Sequence, residues 1–452
     1  MTQLSYIQTL ILAGDIDTLK LQMSDRSAEV QQALKEYNLH THQIMARPEK
    51  LIKNASGEVV KVESQWRLPI PYQKFINEIA LVFLYGQPVK FTQLSQGTDE
   101  AFKSFVKLKK SLRFDSRIRE AKRLAGAETE AAILLHVFRN EGGKPDALLK
   151  VLAASKGDSI HTAFDEYGRL VAFGRGFQIK ETSGNIQTCF DLFTRSEIYR
   201  CKQYKSGWNI ETEENILGKI PVIYFNQKPE HHGVQQLIER EEHIVSTTAD
   251  VNDYFASPAV VITADVLNNL PEKGEPGKIF VKDKEGDVSY LTVDSSPELK
   301  RMEVDYLERQ ILSKSFTPNI DFETMRSLGN VSGKALKQLL ILAEMKANNH
   351  KELHSEMIDR MINLMVAVIG RVFDIRLENE CKGLKIGHAF QSPFKDDLNE
   401  AIANLIHSVD SGMISEQTAR ELHPLITDPL AETIRIERER ESRRIAENPN
   451  LE

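Results

Sequence analysis

Between Phe75 and Leu84 the chain is apolar except at Asn77 and Glu78, a pattern that predicts a helix buried on most of its sides. The run stops at Tyr85-Gly86-Gln87-Pro88, where glycine suits a helix end and proline blocks its resumption. Helical spacing returns from Asp99 to about Leu124, so the chain up to that point is expected to be mainly helical. From Ile133 to Phe225 the pattern changes to short β-branched and aromatic runs: Ile133 to Phe138, Leu170 to Phe173, Thr188 to Phe193 and Val222 to Phe225. Turn signals at Gly142-Gly143, Gly157-Asp158, Ser183-Gly184 and Ser206-Gly207 separate them, as antiparallel strands require.

A helix is predicted from about Val234 to Phe255, closed by Ser257-Pro258, and another from Pro297 to Leu312, with Ser296 as its N-cap. The insert between them contains an expected hairpin, Ile279 to Lys282 with Val288 to Val293, turning through Asp283-Lys284-Glu285-Gly286. Ser313 to Ser332 is polar and reads as a long loop, a length uncommon unless the segment is functional or disordered. Ala335 to Ile369 holds neither Gly nor Pro and as one helix would span about 50 Å, with a bend expected at Asn348-Asn349-His350. After Phe390 a separate helical unit is expected. It carries the stripe Leu398, Ile402, Leu405 and Ile406, a turn at Asp410-Ser411-Gly412, a cap at Ser415, and a charged tail from Glu432 to Glu447. In that tail Glu437 and Arg440, and Glu439 and Arg443, stand at helical spacing. The fold class is therefore α+β, predominantly helical.

Composition narrows the choice of function. An apolar share of 41% before counting glycine excludes global disorder. The net charge of −7 removes the broad basic surface of a general nucleic-acid binder, so any DNA contact must be local. Cys189, Cys201 and Cys381 make an odd set with no CxxC, which points to a reducing compartment. Met1 to Leu19 lacks the basic residues of a secretory signal, and no apolar run approaches the roughly 20 residues of a membrane span. Synthesis in a cytoplasm and no membrane association are expected.

No motif for catalysis emerges. Gly329-Asn330-Val331-Ser332-Gly333-Lys334-Ala335 approaches a phosphate loop, but its glycine spacing is one short and Ala335 stands where Ser or Thr would meet magnesium. Phe173-Gly174-Arg175-Gly176-Phe177 lacks the third glycine of a dinucleotide site and reads as a turn between strands. His350 and His354 are four apart, yet Glu352 is not where a zincin places its base, so a solvated helix face is expected. His231-His232 reads as structural, and no Gly-x-Ser-x-Gly elbow occurs. Neither a metal nor a cofactor is expected, and the chain is not expected to be an enzyme. One basic stretch stands out: Lys103, Lys107, Lys109, Lys110, Arg113, Arg117, Arg119, Lys122 and Arg123. It suits phosphate contact, a solvated face or a bridge to an acidic neighbouring subunit.

Four segments, taken in order, give the chain a resemblance. They are Tyr85-Gly86-Gln87-Pro88-Val89, Leu217-Gly218-Lys219-Ile220-Pro221-Val222, Asn330-Val331-Ser332-Gly333-Lys334-Ala335-Leu336-Lys337, and Gly412-Met413-Ile414-Ser415 with Ile426-Thr427-Asp428-Pro429. In this order and spacing, over roughly residues 75 to 445, the chain resembles the portal, or head-to-tail connector, proteins of tailed double-stranded DNA bacteriophages. The resemblance implies a dodecameric ring at one capsid vertex of a virion, through which DNA passes. It also implies partners: double-stranded DNA, the terminase large subunit as packaging motor, a head-completion or tail connector protein, and capsid and scaffolding proteins.

By the same resemblance residues 1–232 would form a wing, 233–257 and 297–312 paired stem helices, and 258–296 a clip. Residues 313–332 would form a tunnel loop, 333–390 a long wing helix and its return, and 391–452 a crown. Lys314 and Arg326, the basic residues of the loop, become candidates for channel DNA contact, and Lys278, Lys282 and Lys284 candidates for clip contacts with a partner. The competing expectation is a cellular α+β enzyme or nucleic-acid-binding protein with an unrecognised site.

Overall fold

The computed structural model describes residues 3–54, 56–180, 184–255, 260–262, 288–290, 297–320, 340–393, 398–426 and 429–447. Three short helices open the chain: α1 (Gln3–Leu12), α2 (Ile16–Gln22) and α3 (Ser27–Tyr37). Asp15 caps α2 by accepting from the Thr18 N–H at 3.1 Å. A hairpin of β1 (Lys50–Lys53) and β2 (Val59–Glu63) follows, leaving Leu51, Val59, Val60 and Val62 exposed. The predicted apolar helix is α4 (Tyr72–Tyr85), and β3 (Lys90–Gln93) comes next.

The second helical stretch is two helices, α5 (Asp99–Ser111) and α6 (Phe114–Glu128). Arg113 breaks it with a left-handed φ of 52°, a conformation rare for a side-chain-bearing residue. Packing supplies the reason. Leu112 and Phe114 are both buried, and Phe91 sits against Phe105 and Phe114 at ring separations of 5.5 and 5.6 Å. No local sequence signal reports that demand.

Two antiparallel sheets follow. One runs β11 (Val222–Asn226), β4 (Glu130–Arg139), β5 (Pro145–Leu152) in space. The other runs β10 (Gly207–Glu214), β9 (Glu197–Tyr204), β8 (Ile186–Phe193), β7 (Leu170–Lys180), β6 (Ser159–Phe164). Strand β4 is buried on both faces over its first six residues, because alternate side chains serve different cores. Ala131, Ile133 and Leu135 pack into the helical core with Leu81, Ile118 and Met365. Ala132 and Leu134 point the other way, toward Phe173 and Phe193 of the five-stranded sheet. The outer face of that sheet is covered by Ile7, Ile11, Ile16 and Leu19.

The Gly-Arg-Gly segment expected to turn lies inside β7 instead. A Cβ on Gly174 would stand 2.5 Å from Phe190 Cζ, and one on Gly176 would stand 2.3 Å from Ser159 Oγ, so these glycines admit neighbouring strands closely.

Helices α7 (Gln235–Phe255) and α8 (Pro297–Lys314) pack as a pair. Between them β12 (Val260–Ile262) pairs antiparallel with β13 (Val288–Tyr290). The expected hairpin gave β13 a different partner, Ile279 to Lys282, which lies outside the described residues. The long helix α9 (Ile341–Val368) runs unbroken through Asn348-Asn349-His350. Its regular spacing changes at Ile369–Phe373, a π-helical turn, rather than at the expected bend. A short α10 (Glu378–Gly383) and β14 (Ile386–Ala389), paired with β3, complete the return.

The chain divides into two compact units, the second containing the segment from Ser392 onward. That segment carries α11 (Leu398–Asp410), α12 (Glu416–Leu422) and α13 (Pro429–Glu447). Ser415 caps α12 through the Thr418 N–H at 3.1 Å. Glu416 accepts from Arg420 at 2.7 Å and from Arg440 at 3.2 Å, tying α12 to α13. Arg440 thus reaches across helices rather than to Glu437. Among the described residues no helix is long and apolar enough to cross a membrane.

Candidate stem and its anchors

The α7/α8 pair is the feature that most resembles a working part. At 1.5 Å per residue the helices span about 31 and 27 Å. They run antiparallel: Ile238 near the start of α7 packs with Ile311 near the end of α8, and Arg240 bridges to Glu303 at 2.8 Å. The β12/β13 pairing follows from this, since it joins the far ends of the two helices.

A strap formed by residues 42–73 binds one face of α7. Glu242, Ser246, Asp250 and Asp253 recur at steps of four, four and three, so they share that face. Each takes a strap donor. His42 Nδ1 lies 2.6 Å from Glu242 Oε1, which also accepts the Ile70 N–H at 2.8 Å. The Leu68 N–H donates to Ser246 Oγ at 3.0 Å and the Trp66 N–H to Asp250 Oδ1 at 2.8 Å. Trp66 Nε1 donates to Asp253 Oδ2 at 2.6 Å, and Arg47 pairs with Asp250 at 2.6 Å. The backbone N–H groups of Trp66, Leu68 and Ile70, beyond the β1/β2 hairpin, are satisfied by the helix side chains.

On the adjoining face Tyr72 Oη donates to Glu241 Oε1 at 2.9 Å. Burial pushes the Glu241 carboxyl up to about 7, with Glu308 and Glu242 adding repulsion against the Tyr72 bond. The opposing group responds likewise: burial and Glu241 raise the Tyr72 phenol.

A second anchor lies where the segment between β11 and α7, residues 227–234, meets α9. Glu230 receives Lys122 from α6, Lys346 at 2.9 Å and His350 at 3.2 Å. Burial alone would raise this carboxyl, but Lys122, His350 and Lys346 hold it well below the ordinary carboxylate range. Lys346 also donates to the Ser315 carbonyl at 3.0 Å, which connects α9 to the chain just beyond α8. One turn along α9, His354 is fully buried, 2.9 Å from Tyr85 Oη, and burial holds it well below its usual value and neutral. His350 and His354 are therefore packing and pairing groups, not the solvated face expected of them. Among the described residues no cluster of His, Cys, Asp and Glu has the makings of a metal site. The three cysteines are buried and free.

Lys314 ends α8 and is exposed, without an ion pair to the described residues. The next residues turn tightly: Ser315 and Thr317 are buried, and Phe316 takes a φ of 55°. Arg326, Lys278, Lys282 and Lys284 lie outside the described residues. The basic stretch is partly spent internally, through Lys122 with Glu230, Lys109 with Asp115 at 3.0 Å, and Arg123 with Glu78 at 2.7 Å. Lys103, Lys107 and Lys110 remain exposed. Sequence reasoning missed the strap. Its only local signal was the spacing of Glu242, Ser246, Asp250 and Asp253, which also reads as an ordinary polar helix face.

No curated protein matches this chain in sequence. Solved structures similar to it include a chain from the neck of an empty gene transfer agent particle computed with C6 symmetry. It is 9% identical, with 78% of this chain and 89% of that chain covered and a TM-score of 0.40. Another, from the neck of the native particle computed with C12 symmetry, is 12% identical, covering 78% and 88%, with a TM-score of 0.37. A third, from the virion of the native particle, is 11% identical over the same shares, with a TM-score of 0.38. Residues 19–445, which include the strap, the paired helices and both anchors, match the family described as phage portal protein, SPP1 Gp6-like, and the chain belongs to that family.

Proposed function

We propose that this portal-family chain is the repeating subunit of a dodecameric ring at one capsid vertex, and that DNA enters and leaves through its bore. The observation that carries this reading is the helical hairpin. Helix α8 leaves Leu299, Met302 and Tyr306 exposed at steps of three and four residues, an apolar stripe separate from the buried Leu307, Ile311 and Leu312. Adjacent copies closing a ring would bury such a stripe. In this reading α7 and α8 are the stem, residues 258–296 the clip and 391–452 the crown. The clip lysines Lys278, Lys282 and Lys284 face the terminase large subunit and later the head-completion or tail connector protein. Capsid and scaffolding proteins surround the wing, residues 1–232 and 333–390. The ring is a conduit without chemistry of its own, in keeping with the incomplete phosphate loop at Gly329, and the motor hydrolyses ATP.

Lys314 and Arg326 touch passing phosphates without reading sequence. Replacing both by Ala in a reconstituted system with the motor should lower the amount or rate of DNA packaged while rings persist. The difference should shrink as salt rises. Packaging that matches the unaltered protein at every salt concentration refutes that role. The stem assignment is tested separately: Leu299→Asp with Met302→Asp should give a folded chain that no longer closes rings, and intact rings would refute it.

A further inference from the structure

The turn Leu217-Gly218-Lys219-Ile220, which the strap and the stem do not use, lies at a surface cavity of about 810 Å³ whose walls include Arg169, Arg195, Lys219 and Arg360. Three arginines from separate elements hold its carbonyls. Arg371 donates to Leu217 O at 2.7 Å, Arg195 to Gly218 O at 3.2 Å, and Arg360 to Val222 O at 2.7 Å and Ile220 O at 3.3 Å. Gly218 makes room for this: its φ is +59°, and a Cβ there would stand 2.5 Å from Arg371 Nη1.

Carbonyl bonds alone would account for the arginines, but not for the fourth cation placed among them. Lys219 has one weak contact, to Asn363 O at 3.4 Å. None of Arg195, Lys219, Arg360 and Arg371 pairs with a carboxylate of the described residues. The acidic groups at the cavity are mostly engaged elsewhere: Asp165 faces Arg169 at 3.9 Å and Asp359 faces His388 at 3.1 Å, which leaves Glu356. Burial lowers the Lys219 ammonium, and Arg371, Arg360 and Arg195 lower it further. Four like charges, none in an ion pair with a carboxylate of the described residues, raise one another's energy; Glu356 offsets them only in part, and an anion in their midst relieves the rest. Guanidinium N–H groups not used on carbonyls offer the fork that oxyanions accept, with the ammonium as a point charge beside them.

We propose that this cavity is a binding site for a phosphate oxyanion, either free or carried on a nucleic-acid backbone. The inference does not depend on ring formation. It is tested on the full chain with sodium phosphate as probe, titrated calorimetrically against sodium chloride at matched ionic strength. Phosphate should bind saturably. Lys219→Gln and Arg195→Gln should each weaken binding by about tenfold or more, and Lys219→Arg should retain it. Far-UV circular dichroism and melting in chloride should be unchanged for Lys219→Gln, because the residue is exposed and makes only the 3.4 Å contact to Asn363 O. A second arm uses a short DNA duplex. Duplex binding that phosphate displaces and Lys219→Gln weakens identifies a nucleic-acid phosphate as the ligand, whereas duplex binding indifferent to both identifies a free anion. Absence of saturable phosphate binding, or undiminished binding in Lys219→Gln, overturns the proposal.

Discussion

Glu230, itself buried, gathers two lysines and a histidine from two helices, Lys122 from α6 and Lys346 and His350 from α9. Removing its charge strands Lys122, which is fully buried. Glu230→Gln should therefore destabilise the first unit by about 3–5 kcal/mol. Lys122→Met should cost less, because Lys346 and His350 still compensate the carboxylate and methionine fills similar space. The melting transition of each variant checks the order, and an equal or reversed ranking contradicts it. Neither role was legible in sequence. Lys122 stood in a basic stretch and His354 on a helix with mixed faces, and only tertiary packing turns them inward.

Glu241 gives a pH dependence with a definite sign. Its folded value of about 7 lies above that of an ordinary glutamate, so the folded state holds the proton more tightly. The resulting stability is complete below about pH 4.5 and is lost as pH rises through about 7. Because Glu241 retains some solvent screening, the contribution is about 1–2 kcal/mol. Glu241→Gln should remove the dependence, so that variant and unaltered protein differ more in stability at pH 8 than at pH 5. Parallel stability curves over that interval would count against the assignment.

Among the elements, the strap is the least obvious and the most consequential for the α7/α8 pair. Asp250 accepts the Trp66 N–H and pairs with Arg47. Asp250→Ala should cost about 1–3 kcal/mol by leaving those donors unmatched. Hydrogen exchange should quicken at residues 66–70 and stay unchanged in the five-stranded sheet. Uniform exchange across both would contradict a local strap.

Elements with a strong local pattern were well marked. Phe75–Leu84 predicted α4 to within a few residues, and the Pro297 start of α8 follows from proline at the first helical position. Features that depend on distant neighbours were not. The break at Arg113 answers to Phe91, the glycines of β7 answer to Phe190 and Ser159, and β12 and β13 pair across an insert too long for hairpin signals.

For the whole molecule, the family match over residues 19–445 supports a chain that works in copies of itself. The exposed stripe on α8 and the exposed valines of β2 are surfaces a lone subunit leaves wet. Both become reasonable once neighbours cover them. The most direct measurement is the mass and shape of the purified full chain, by native mass spectrometry and electron microscopy over a range of concentrations. The account predicts closed rings with a central opening and a mass of roughly 600 kDa, twelve copies of a 51.3 kDa chain. Only monomers and dimers at every concentration would contradict it.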